Sequence, residues 1–164
     1  ALLRLPSATL DRVNVGDDPC AADYLAGGGA PLYRWSTIDA LGFVAGELFF
    51  GFEDLDLGLR LRAAGHRLIV VPVHDHVVAD TSPSRSPWRE YYKSRALVTI
   101  CRRHLGLVAL LWTLARALLV GGLAMTLRER RIDLLIARWQ GAIDALRGNL
   151  GPTRYDPQVN PPKP

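Results

Sequence analysis

Lysine is almost missing from this chain of 164 residues. Of its 20 cationic side chains, all but Lys93 and Lys163 are arginine. Cysteine is as scarce: Cys20 and Cys101 lie far apart and match neither a metal-binding nor a redox spacing. That excludes a disulfide-stapled scaffold and points to a reduced, cytosolic setting. No secretory leader is expected from "ALLRLPSATLDR", which carries charge early and has no long apolar run. No methionine opens the sequence, so it is expected to begin inside a longer reading frame. What is present is ordinary for a folded domain with one sizeable core: 49% hydrophobic and 22% charged residues, which excludes wholesale disorder. The net charge of +4 suits nucleic acid, an anionic membrane or a phosphorylated substrate alike. The arginines are interleaved with leucines rather than gathered on a stripe, and no nucleic-acid motif occurs, so no nucleic-acid partner is expected.

Along the chain, residues 1–26 lack a clear period, and "GDDP" at 16–19 reads as a turn. A glycine triplet follows, then a short helix capped by Ser36 and ended by Gly42. Leu55, Leu57, Leu59 and Leu61 form the apolar face of a second helix, which Gly65 stops. "HRLIVVPV" is β-branched and bounded by proline, so a buried strand is expected and, with the helix before it, an α/β layer. After a Ser/Pro-rich loop at 79–88, "WREYYKSRALVTICRRH" reads as a helix with Trp88 near its start. Residues 105–127 are almost wholly apolar, residues 132–146 form an amphipathic helix, and the tail at 151–164 is expected to have no fixed structure.

"GFEDLDLGLR" poses the chemical question, because Glu53, Asp54 and Asp56 crowd behind two phenylalanines and a glycine. One account is a plain helix start, where each carboxylate gains about 0.3–1 kcal/mol from the macrodipole. The other is catalytic: Asp54 follows bulky apolar residues, and partial burial there makes a serviceable base. "GGGA" is either a tight turn or a place of close backbone approach to a ligand. His74 and His76, two apart on a strand, share a face that suits a metal or a plain hydrogen-bonded pair. The helix of Trp88 is either an amphipathic core helix or an acceptor wall.

These residues resemble a family. "YLAGGGAPLYRWSTIDALGFVAGELFFGFEDLDLGLRLRAAGHRLIVVP" is similar to the second half of the catalytic domain of glycosyltransferase family 2, which has the GT-A fold. The rhamnosyl- and galactofuranosyl-transferase-like bacterial members are nearest, and the likeness covers about residues 23–100. Its marks are a Gly-rich segment, a Phe-x-x-x-Glu-Asp-x-Asp-Leu helix, then Arg, Gly and a strand ending in Pro. The resemblance implies an α/β, Rossmann-like fold, with residues 1–100 as the C-terminal, acceptor-side part of the domain and residues 101–150 as a helical extension.

It also implies the chemistry: inverting transfer of a sugar from a nucleotide-diphosphate donor to a glycan or lipid-linked acceptor in cell-envelope polysaccharide synthesis. Asp54 would be the catalytic base, with Glu53 orienting the acceptor, whereas Asp56 and Arg60 would serve the helix. Gly28 and Gly29 would line the donor–acceptor cleft, and His76, with His74 in reserve, would help hold Mg²⁺ or Mn²⁺. "WREYYKSRALV" resembles the family's Trp-x-x-Tyr-Tyr-x-x-Arg-Asn segment, so Arg95 would face the diphosphate and Trp88 and Tyr92 the acceptor. Ala96 stands where the family has Asn.

The family's opening βαβ half and its Asp-x-Asp metal site have no counterpart before Gly27, so the chain alone is expected to turn over little or nothing. The alternative is a non-catalytic, membrane-associated partner or remnant of a transferase. For residues 105–127 three readings stand open: an interfacial helix on an anionic membrane, a helix packed on the domain, or a true span. Arg116 near the middle opposes a span, at roughly 2.5–3.5 kcal/mol. A cytoplasmic protein, peripheral at the inner face of the plasma membrane, is the expectation.

Overall fold

The computed structural model describes residues 2–4, 9–11, 18–23, 31–72, 85–120 and 130–155. Its centre is a helix pair, α3 (Pro87–Ile100) and the long C-terminal α5 (Ile132–Arg147). Proline at the first turn of α3 loses no hydrogen bond, since that N–H has no helical partner. α5 ends in a Schellman arrangement. Gly148 takes φ +78°, its N–H reaching Ala145 O, while Asn149 N–H reaches Asp144 O. The two helices meet almost backbone to backbone, because α5 offers Ala137, Gly141, Ala142 and Ala145 as its buried face. A Cβ placed on Gly141 would lie 2.2 Å from Tyr91 O, so only glycine fits.

Polar pairs lock the same interface. Tyr91 Oη donates to Asp144 at 2.7 Å, and Arg138 Nε donates to the buried Glu90 at 3.1 Å. Burial and the bond to Asp144 push the Tyr91 phenol up to about 12. Tyr155 stacks on Tyr91 at 4.6 Å and Arg95 Nη1 donates to Gly151 O at 2.9 Å. Residues 151–155, read from the sequence as the start of a structureless tail, are therefore held against the core by an aromatic stack.

Beyond α3 the chain makes a wide π-helical turn, Cys101–Leu105, then reverses at Gly106 into α4 (Gly106–Thr113) and a second π-helical stretch, Leu114–Val120. Twelve residues of unbroken helix would separate Cys101 from Thr113 by about 18 Å. Their Sγ and Oγ1 atoms instead lie 3.4 Å apart. Gly106 at φ +82° makes the reversal, a conformation costly to any side-chain-bearing residue. Leu110 and Leu114 thereby pack on Val98, Cys101, Ala142 and Ala145. Pro87–Arg116 is long and apolar enough by composition to cross a membrane. The reversal at Gly106 breaks this stretch into two helical segments, so it is not one straight rod. Both cysteines are free, and burial raises the Cys101 thiol above its ordinary value.

Among the described residues the strands are few. β1 (Leu2–Arg4) pairs antiparallel with β2 (Thr9–Asp11), and β3 (Cys20–Ala22) pairs antiparallel with β4 (Leu68–Val70) in the register Cys20↔Val70. Between β3 and β4 lie α1 (Trp35–Leu41), a 3-10 turn (Gly46–Leu48) and α2 (Glu53–Ala63). α1 starts one residue before Ser36, with Arg34 at its N-cap and no side-chain cap, so Ser36 lies inside the helix rather than capping it. Gly65 closes α2 as read, with its N–H on Arg62 O and that of His66 on Leu61 O. The fold is thus helical with two small antiparallel sheets, compatible with an α/β class. Among the described residues there is no parallel sheet.

Candidate functional site

The acidic start of α2 is positioned by a strained turn. After the 3-10 turn, Phe49 takes φ 62°, ψ −51° and Phe50 N–H reaches back to Leu48 O at 2.7 Å. This is the rare, positive-φ kind of γ-turn. Phe52, at φ 66°, ψ 9°, is left-handed as well. Each such residue costs about 1–3 kcal/mol and persists only where its surroundings over-determine it.

α3 supplies those surroundings. The Phe49 ring lies 4.4 Å from that of Tyr92, and Phe50 meets Trp88 edge-on at 4.8 Å. Leu48 is buried with Leu55, Ala96 and Ile100, and Arg95 Nη2 donates to Glu47 O at 3.2 Å. Aromatic residues in "FFGFED" and "WREYY" thus clamp one another, and the turn they enforce aims the first residues of α2.

The three carboxylates then part company. Asp56 is 1% exposed and accepts hydrogen bonds from Arg60 Nε at 2.9 Å and His104 Nε2 at 2.8 Å. Arg60 continues to Leu41 O at 2.8 Å and to Phe43 O. Asp56 and Arg60 therefore tie α2 to the end of α1 and to the π-helical turn before Gly106. His104 was not legible as their partner, since 48 residues separate it from Asp56 and no local pattern joins them.

Glu53 and Asp54 are half-buried, and Glu53 Oε2 is shielded from solvent with no hydrogen-bond partner. Asp54 lies near Tyr33: burial first and the Asp54 charge second raise the Tyr33 phenol above its ordinary value. Tyr33, which packs edge-on against Phe43 at 5.8 Å, is the residue that sequence reading missed here. Its only signal was its place before α1.

The other expected site residues fall differently. Trp88 is half-buried beside the turn. Tyr92 and Arg95 are 1% and 2% exposed; the Arg95 guanidinium sits 4.6 Å over the Tyr92 ring, and its Nη1 and Nη2 are given to carbonyls. In this structure both support the turn from within rather than face solvent. Gly28, Gly29, His74 and His76 lie outside the described residues. Among the described residues no group of three or more His, Cys, Asp and Glu side chains could hold a metal. Comparison with family models, curated proteins and solved structures returns no match.

Chemically, the arrangement offers a partly dehydrated carboxylate with a phenol beside it and a second carboxyl oxygen in need of a donor. Such a group accepts a proton from a hydroxyl and keeps that hydroxyl in place.

Proposed function

We propose that the chain is the acceptor-side part of an inverting glycosyltransferase of family 2, acting in cell-envelope polysaccharide synthesis at the cytoplasmic face of the membrane. Asp54 is the base in this reading. Its carboxylate takes the proton of an acceptor hydroxyl while that oxygen bonds to the anomeric carbon of a nucleotide-activated sugar. The bond from that carbon to the diphosphate breaks, the nucleoside diphosphate leaves with the electron pair, and attack from the opposite face inverts the configuration. Glu53 Oε2, shielded and without a partner, accepts a hydrogen bond from the same acceptor and orients it. Trp88 contributes an apolar wall, while Tyr92 and Arg95 hold the turn that aims both carboxylates. His76, with His74 in reserve, would help hold the family's Mg²⁺ or Mn²⁺, which would offset charge on the departing diphosphate.

One observation carries this reading: the Glu53–Asp54 pair stands half-buried on a turn whose strain is held in place by α3, an arrangement a mere helix start does not need. The test is transfer from a labelled nucleotide-sugar in the protein as its gene encodes it. Asp54→Asn should lower the rate by about 10²–10⁴-fold, the usual worth of a positioned base, and leave donor binding unchanged. An unaltered rate overturns the reading. A second reading, a non-catalytic membrane-associated partner of another transferase, is favoured by the apolar residues that α4 and α5 expose. It predicts no dependence on Asp54 at all.

A further inference from the structure

The reversal at Gly106 decides which side of α4 is free. Ala109, Leu110 and Thr113 face inward, and Leu107, Val108, Leu111 and Trp112 face outward, each between 51% and 68% exposed. Leu119 continues the exposed series on the next helical stretch. A face of this size without cover is unusual on a folded domain.

The charges around it identify the cover. No Asp or Glu occurs between Glu90 and Glu129, whereas Arg103 precedes the apolar face and Arg116 falls within it before Leu119, both exposed; Arg102, exposed too, gives its Nη1 to Ala145 O and Leu146 O. Arg103 shares only a surface ion pair with Glu47, at 3.0 Å, an interaction weak enough to be exchanged. A second copy of the chain would bring the same cations together across a two-fold interface, which disfavours self-association. Arg116, within the apolar stretch, opposes a span. We infer that α4 lies in the interface of an anionic phospholipid bilayer, its outer face among the acyl chains and Arg103 and Arg116 on the headgroups.

This deepens the membrane-apposed part of the transferase reading and rests on it only for the acceptor. Flotation reads the lipid contact and Asp54→Asn reads the transfer, so either can fail alone. The experiment floats the full chain with phosphatidylglycerol or phosphatidylcholine vesicles at low and high salt. The wild type should float with the anionic vesicles at low salt and bind about tenfold less at high salt or on phosphatidylcholine. Leu107→Asp with Leu111→Asp, at exposed positions, should keep the wild-type circular dichroism spectrum and lose flotation about tenfold or more. Ile136→Asp, on the exposed side of α5, should float as the wild type does. No wild-type flotation overturns the inference, as does a double variant that floats undiminished. So does loss of flotation in the α5 variant alone. Resistance of the bound protein to alkaline carbonate would mean a span, and self-association abolished by the double variant without vesicle binding would mean a second copy; either overturns it.

Discussion

The start of α2 and the outer face of α4 are built to opposite specifications. At α2 the chain spends conformational strain, two phenylalanines at positive φ, to place carboxylates that stay half-buried. At α4 it relaxes into apolar helix and leaves large side chains in the open. Charge divides along the same line. Residues 1–100 carry 10 cationic side chains against 12 acidic ones, and residues 101–150 carry eight against three. The excess positive charge of the chain thus belongs to its helical second part, and the half-buried carboxylates of α2 to its first. A net charge of +4 read over the whole sequence conceals this, which is why composition alone could not choose a partner.

The contrast has its sharpest edge within α2 itself, between Asp54 and Asp56. Asp54→Asn should cost the proposed transfer reaction two to four orders of magnitude while moving stability by no more than about 1 kcal/mol. The frame both regions stand on is more easily broken. Gly141→Leu must force α3 and α5 apart, since even a Cβ meets Tyr91 O at 2.2 Å. A loss of about 3 kcal/mol or more is expected in urea unfolding, and an unchanged midpoint would contradict the packing. Asp56→Ala should behave as the inverse of Asp54→Asn. It removes the shared acceptor of Arg60 and His104 and should cost about 2–3 kcal/mol of stability, read by thermal denaturation. A stable Asp56→Ala protein would erase the distinction drawn between the two aspartates.

Much of the helical frame was legible. Gly42 and Gly65 were read as helix ends, and both adopt the positive φ that makes glycine a good terminator. The last helix was read to within a residue of its observed bounds, because its apolar period is regular. Ser36 misled because a good capping residue is only a local preference, and here α1 begins at Trp35 without a side-chain cap. The apolar run at 105–127 hid its reversal, since hydropathy does not register one left-handed glycine, Gly106. At the site, the acidic cluster was visible in sequence, and so was the division of Asp56 and Arg60 from the other two carboxylates. His104, Tyr33 and the clamp of Phe49 on Tyr92 were not. They join segments far apart in the chain, and no spacing rule connects them.

The proposed role of Asp54 depends on where its carboxylate is held, and the Tyr33 phenol reports on that directly. Ultraviolet or NMR titration of Tyr33 should give a midpoint above the ordinary phenol value in the wild type, since burial and the Asp54 charge both disfavour the phenolate. In Asp54→Asn the midpoint should fall toward that value and stop above it, burial remaining. A midpoint that does not move would place Asp54 away from Tyr33 and contradict the site.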